Sequence, residues 1–388
     1  MDIGLYNKTI FGKYKVNKII GRGSFGSVFK GKNIETKELV AIKTEDWKAK
    51  GNVLESEAYF LFYLKNFGIP EMKSFGIYYK YKILVQTLLG YNLDQIFIGK
   101  EKIVKIQDIC MAFIQLLDRL EYIHSKYVIH RDLKPENIMI DLETKKTIYL
   151  IDFGMAKKYR SGKTKKHIKF SVPQRLTGTA RYCSINALRG TEQSRRDDLE
   201  SAGYVMIYLA KRGYLPWIGL THSDKLERYR QIYYIKKKIT EEKLCKLLPK
   251  AFSDYMKYVK KLNFEEDPNY NYMRGLFLNL LNSSNVKNDL KFSWVSKGKS
   301  KKKENPNNRK NHFLKRKGSP QARILKQIQT SQEKEKNIDG SETGEADGNS
   351  EDGGNNADSE SNSDGSANSS VGVVSEETEV PSDSDTSD

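Results

Sequence analysis

The stretch His130-Arg131-Asp132-Leu133-Lys134-Pro135-Glu136-Asn137 constrains this chain more than any other feature, because Asp152-Phe153-Gly154 follows fifteen residues after Asn137. That interval is the length of two short strands, so both segments are expected as neighbouring loops. Together they offer one carboxylate (Asp132), one cation (Lys134), one amide (Asn137) and a second carboxylate (Asp152). Phosphoryl transfer from ATP calls for this set. Asp132 would orient the attacking hydroxyl and accept its proton, Lys134 would stand beside the moving phosphoryl group, and Asn137 and Asp152 would supply oxygen ligands to Mg2+. Any one of these pieces could arise in an ordinary Asp/Asn-rich loop; their order and context turn them into evidence.

The context lies upstream. Gly21-Arg22-Gly23-Ser24-Phe25-Gly26-Ser27-Val28 follows a strand-like run, Tyr14 to Ile20. Glycines let backbone approach phosphate oxygens with no Cβ in the way. A dinucleotide-binding unit would open a helix inside this motif, but here two more strand-like runs follow, 27–31 and 38–43, which favours a kinase-type loop. Ile20, Gly21, Gly23, Ser24, Phe25, Gly26 and Val28 are therefore the expected ATP-covering residues. Lys43 closes a Val-Ala-Ile-Lys strand, from which its ammonium can hold the α- and β-phosphates. A helix over 52–64 offers Glu55 and Glu57 as partners for Lys43; they lie about 200° apart around the helix axis, so only one can face the cleft.

Three further stretches resemble the casein kinase 1 family: Leu150 to Arg160, Leu176 to Asn186, and Gln193 to Ser201. Most protein kinases carry Ala-Pro-Glu at the end of the activation segment, whereas this chain has Ser184-Ile185-Asn186, the casein kinase 1 form. The resemblance covers about residues 12–282. It implies an α+β, two-lobed protein kinase fold, with a small β-rich lobe holding one main helix and a larger helical lobe. It also implies serine/threonine specificity and acidic or already phosphorylated protein substrates. It places Glu55 at the family's helix glutamate, Asp198 where a carboxylate braces the catalytic loop, and Thr87-Leu88-Leu89-Gly90 on the hinge, with Leu89 contacting the adenine. Arg181, Lys225 and Arg175 match its basic pocket for a phosphate three residues before the target. Gln86 and Thr87 depart from the family's usual methionine and glutamate, a change expected to alter inhibitor binding more than ATP binding.

Charge divides the chain. Residues 331–388 hold seventeen acids and two lysines, a net of −15, so the overall +18 leaves +33 on residues 1–330. A body this basic attracts acidic partners. The ordered part is expected to begin near Phe11 and to close with a helix, Tyr270 to Leu281. Ile106 to Ser125 reads as a core helix from the spacing of Ile106, Ile109, Phe113, Leu116, Leu117, Leu120 and Ile123. Helices are also expected over 196–210 and 224–239. The resulting division is a kinase domain at 12–282, a basic linker at 283–330 and an acidic, serine-rich tail at 331–388, the last two expected to be disordered. Lys297 to Lys317 carries ten basic residues and one acid, readable as a nuclear-import signal, an anion clamp or a solubilising linker.

The three cysteines show no paired spacing, and Cys110 falls on the apolar face of its helix, so neither a disulfide framework nor a zinc site is expected. No apolar stretch approaches eighteen residues, and the C-terminal Asp385-Thr386-Ser387-Asp388 lacks the cysteine of a lipid anchor. The expectation is a monomer of the cytoplasm or nucleus with no membrane anchor. A catalytically weak scaffold is the rival reading, but it predicts loss of Lys43, Asp132, Asn137 or Asp152, and all four are present. A nucleic-acid-binding role for the lysine run finds no base-reading module in the first 282 residues. The chain's own tail is a further expected partner. Ser363, Ser366 and Ser369, like Ser384 and Ser387, recur at three-residue steps, so each phosphate could prime the next site and the phosphorylated tail could occupy the basic pocket.

Overall fold

The computed structural model describes residues 3–23, 26–49, 51–97, 105–172 and 176–295. The chain divides into two units, 1–300 and 301–388, and every described residue belongs to the first. The basic run at 297–317 and the acidic tail lie outside the described residues.

The first lobe is built on one antiparallel sheet. Its strands are β1 (Thr9–Ile10), β2 (Tyr14–Gly23), β3 (Gly26–Asn33), β4 (Leu39–Asp46), β5 (Met72–Tyr78) and β6 (Tyr81–Thr87), in the order β1-β2-β3-β4-β6-β5, with helix α1 (Val53–Tyr63) between β4 and β5. Side chains alternate across a strand, and that alternation sorts the two faces of this sheet. Val40 and Ile42 of β4 join Ile83 and Val85 of β6 in a small core with Leu5, Ile10, Tyr14, Val16 and Phe29. The residues between them, Ala41 and Lys43 paired with Gln86 and Leu84, share the opposite face, where Leu84 packs with Leu54, Ala58 and Leu61 of α1. One sheet thus buries hydrocarbon on one side and presents a lysine and an amide on the other.

The second lobe is helical. It contains α2 (Leu93–Phe97), α3 (Ile106–Ser125), α4 (Ile185–Arg189), α5 (Arg195–Ala210), α6 (Lys225–Lys238), α7 (Glu241–Leu244), α8 (Lys250–Lys261) and α9 (Tyr270–Ser283). Two short antiparallel two-stranded sheets sit at its upper edge: β7 (Val128–Ile129) with β10 (Lys157–Lys158), and the hairpin of β8 (Ile138–Ile140) with β9 (Ile148–Leu150). α3 has the expected bounds, and Ile109, Phe113, Leu116, Leu117, Leu120 and Ile123 are all buried. α5 is buried around nearly its whole circumference, as a central helix must be, and packs against α3 and α8. Cys110, Cys183 and Cys245 are free and buried; burial pushes the Cys110 thiol up to about 12. Among the described residues no helix is long and apolar enough to cross a membrane.

Packing in the described residues extends past both ends of the expected ordered part. Before Phe11, Leu5 and Ile10 are fully enclosed in the small-lobe core. Beyond 282, the supposed start of the linker, Phe292 is buried and stacks on Trp294 at 4.1 Å, while Trp294 meets Phe97 edge-on at 5.0 Å. The Ser293 N–H donates to Asp108 Oδ1 of α3 at 3.0 Å. Scattered single apolar residues in a lysine-rich run carry no periodicity, which is why these contacts were not legible from composition. A chain ending at Ser284 should therefore melt roughly 5 °C below one ending at Val295, since burial of two or three apolar side chains is lost; calorimetry on the two truncations checks this.

Candidate active site

The groove between the lobes is framed by strands whose geometry follows from small residues. β2 and β3 meet at the Gly23–Gly26 pair, and a Cβ added to Gly26 would overlap the Thr44 carbonyl of β4. Only glycine lets β3 approach β4 this closely. Gly21 pairs with Val28, and Ile20 is exposed, so Ile20, Gly21, Gly23, Gly26 and Val28 of the expected roof line one hairpin; Ser24 and Phe25 lie outside the described residues. At the hinge, Leu89 is buried, and among the described residues neither its N–H nor its carbonyl is taken up by a backbone hydrogen bond. Both remain for an adenine edge. Gln86 is buried on the same sheet face as Lys43, and among the described residues its Oε1 has no hydrogen-bond partner.

Lys43 Nζ donates to Glu57 Oε1 at 2.5 Å and lies 3.9 Å from Asp152 Oδ1. Burial alone would lower its pKa; the charges of Glu57 and Asp152 outweigh burial and hold it above the ordinary lysine value. The glutamate that meets Lys43 is thus Glu57, and the assignment of Glu55 is corrected. Glu55 sits in the first turn of α1 with its side chain 41% exposed and pairs instead with Lys82 at 2.9 Å. The helix phase explains this: Leu54, Glu57, Ala58 and Leu61 form the buried stripe, spaced three and four apart as one helix face requires. The signal was present in the sequence, in the apolar residues flanking Glu57.

The loop carrying Asp132 is held from below by Asp198, at the start of α5. Its Oδ2 accepts from the His130 N–H at 2.7 Å and its Oδ1 from the Arg131 N–H at 2.8 Å, across a backbone that turns at Arg131 with φ 68°. His124 Nε2 donates to the same carboxylate at 2.9 Å, and Tyr270 Oη lies 2.6 Å from the other ring nitrogen. Burial works to raise the Asp198 pKa, but these donors outweigh it and hold the carboxyl below its ordinary value. Above, Asp132 Oδ2 accepts from Lys134 Nζ at 2.5 Å, and its Oδ1 accepts from Thr179 Oγ1 at 2.8 Å. Asn137 Nδ2 donates to the Asp132 carbonyl at 2.9 Å, which fixes the amide and leaves its Oδ1 for another partner. Asp152 is left-handed (φ 67°, ψ 68°), while Phe153 beside it is buried against the His130 ring at 5.1 Å. Burial acts to raise Asp152, but Lys43, Lys134 and His130 outweigh it and keep the carboxylate ionised.

Asn137 and Asp152 therefore fit a hard divalent cation: one amide oxygen and one carboxylate, with the remaining positions left to phosphate and water, as Mg2+ prefers. Thr179 was not foreseen as an Asp132 partner. It is reached because Gly178 takes φ 97° and packs on the Arg131 carbonyl, where a Cβ would collide. Two residues on, Arg181 is exposed, as is Lys225 at the start of α6; neither forms an ion pair with a carboxylate among the described residues. Arg228, one turn beyond Lys225, is half-buried. Arg175 lies outside the described residues.

Sheet lobe, helical lobe and this set of groups define a phosphotransferase that binds a nucleoside triphosphate between its lobes. A family-wide comparison matches residues 14–271 to the protein kinase domain. The match covers well over half of the chain, and the chain belongs to the protein kinase family. Membership implies use of ATP and, as is usual in that family, Mg2+.

Two outcomes follow from this geometry. Glu57→Gln should cut kcat/KM about 100-fold or more by freeing Lys43, whereas Glu55→Gln should stay within about twofold; steady-state kinetics on the pair decides between them. The second concerns His124, whose pKa burial lowers from 6.5 despite Asp198. The folded protein then binds fewer protons than the unfolded chain, so stability is full above the unfolded value and falls as pH drops from 6.5 toward the folded value. Denaturant titrations from pH 5 to 7.5 should show this slope, and His124→Gln should flatten it.

Proposed function

We propose that this protein kinase phosphorylates serine or threonine in acidic or already phosphorylated proteins, in the manner of the casein kinase 1 family its activation segment resembles. The observation that carries the reading is the position of Arg181. It is exposed, lacks a carboxylate partner among the described residues, and lies two residues from Thr179, whose hydroxyl is bonded to Asp132. A substrate hydroxyl held at Asp132 places a residue three positions earlier about 10 Å away along an extended chain. A guanidinium there, supported by Lys225 and Arg228 of α6, forms short charge-assisted bonds to a phosphate.

Asp132 orients the substrate hydroxyl and accepts its proton as the new O–P bond forms; the bond from the γ-phosphorus to the β–γ bridging oxygen breaks, and ADP leaves. Lys134 neutralises charge on the transferring group, and Lys43, kept in place by Glu57, holds the α- and β-phosphates. Bound through Asn137 and Asp152, Mg2+ would neutralise charge on the phosphate oxygens. On the same reading the chain's own tail, with Ser363, Ser366 and Ser369 in step, is a substrate in cis and a competitor for the pocket.

The test uses the full chain with Mg-ATP and a peptide bearing phosphoserine, aspartate or alanine three residues before a serine. Phosphoserine should be preferred over alanine by about tenfold or more, and Arg181→Ala should erase the preference. Asp132→Asn should abolish transfer to all three while ATP still raises the melting temperature. Equal rates on all three peptides would overturn the substrate assignment.

A further inference from the structure

Lys236, in the last turn of α6, is wholly buried, yet among the described residues it forms no ion pair with a carboxylate, although the charge of Glu200 is felt there. Its Nζ donates to two backbone carbonyls, Cys183 at 2.6 Å and Ala180 at 3.2 Å, and lies over the rings of Tyr204 at 4.4 Å and Trp217 at 4.8 Å. Burying an ammonium is costly, and an apolar side chain of the same length would serve packing better. The two carbonyls and two π faces lower that cost without removing it. Burial pulls the lysine down to about 8. A group kept at such expense calls for a use beyond packing.

The two carbonyls bracket the turn that carries Arg181. In that turn the N–H groups of Tyr182 and Cys183 both donate to the Thr179 carbonyl, at 2.9 and 3.0 Å. Trp217 Nε1, next to Lys236, donates to the Arg181 carbonyl at 2.8 Å. Three of the four carbonyls from 180 to 183 are thereby gripped from inside the lobe. The Arg181 guanidinium lies over the rings of Tyr182 at 5.8 Å and Tyr208 at 6.0 Å while the residue stays exposed, and Thr179 is left facing Asp132. Downstream the same segment is secured by different groups: Ser184 Oγ donates to Asp197 at 2.6 Å, and Ile185 N–H to Glu200 at 3.0 Å.

We infer that Lys236 is a positioning residue for protein substrates: together with Trp217 it clamps the 180–183 carbonyls, so that the Arg181 guanidinium is preset to meet the substrate's phosphate. The inference rests on the phosphate-reading role proposed for Arg181. It separates Lys236 from the nucleotide side of the groove, which is built from β2, β3, β4 and the hinge.

The experiment is a double-mutant cycle on the full chain, Lys236→Met with Arg181→Ala, measured on the phosphoserine and alanine peptides with the KM for Mg-ATP as an internal reference. Methionine keeps the length and can lie between Tyr204 and Trp217, but donates to neither carbonyl. The expected result is a fall of about tenfold in kcat/KM for the phosphoserine peptide, mainly through KM, with KM for ATP changed by less than about twofold. The double variant should be no worse than Arg181→Ala alone, because residues that act through one another are not additive. Trp217→Phe, which removes only the N–H donor to the Arg181 carbonyl and keeps an aromatic ring over Lys236, should shift the phosphoserine KM in the same direction, and it serves if Lys236→Met fails to fold. A normal phosphoserine KM in the lysine variant, equal losses on both peptides and ATP, or multiplicative losses in the double variant would each overturn the clamp while leaving the Arg181 reading intact. If Arg181→Ala alone changes nothing, the phosphate reading itself falls, and the clamp with it.

Discussion

The catalytic loop reverses direction at Arg131 in a left-handed conformation that an arginine rarely adopts, and the Asp198 carboxylate makes that conformation the favoured one. Two successive N–H groups, which in this turn have no strand or helix to pair with, are satisfied by a single ionised group at the first turn of a buried helix. The cost of enclosing that carboxylate is offset by its donors, and the backbone strain is over-determined by them. Everything above inherits its position: Asp132 next in the chain, Asn137 bonded to the Asp132 carbonyl, and Thr179 reaching Asp132 from the activation segment. The rigidity of the site is therefore anchored in α5, well below the groove it serves.

The small lobe is attached by a different device. Lys43 belongs to the sheet, Glu57 to the helix behind it, and Asp152 to the lower loop, so one ammonium touches three separately folded elements. The Lys43–Glu57 pair is nearly dry, and in such surroundings breaking it leaves an uncompensated charge, which costs more than the pair contributes. The two lobes thus share an electrostatic joint beside a hydrophobic one, because Leu54, Ala58, Leu61 and Leu84 lie in the same buried cluster as Phe153 and the core of α3.

The candidate site and most element bounds were legible because they are coded locally: α3 by its apolar spacing, the hairpins by glycine and β-branched residues, and the grouping of Asp132, Asn137 and Asp152 by residue type and interval. Motif position alone points to Glu55, whereas helix phase, with Leu54, Ala58 and Leu61 marking the inward face, selects Glu57. Thr179, Trp217 and Lys236 were illegible for another reason. Trp217 and Lys236 act on backbone carbonyls, which have no sequence identity, and Thr179 meets the Asp132 carboxylate; all three contacts span 36 to 56 residues of chain. A lysine in a chain this basic reads as surface, and only the fold reveals one that is enclosed.

The enclosure of Lys236 has an electrostatic corollary. Arg181 and Lys225 are open to solvent, so their pull on an anion fades as salt shortens the screening length to about 8 Å at physiological strength and about 3 Å at 1 M. The interior ammonium is shielded from mobile ions by protein and keeps its hold on the carbonyls at any ionic strength. Long-range attraction and local geometry are thus carried by different cations at this surface: salt weakens its pull on any anion, but the shape of the 180–183 turn persists.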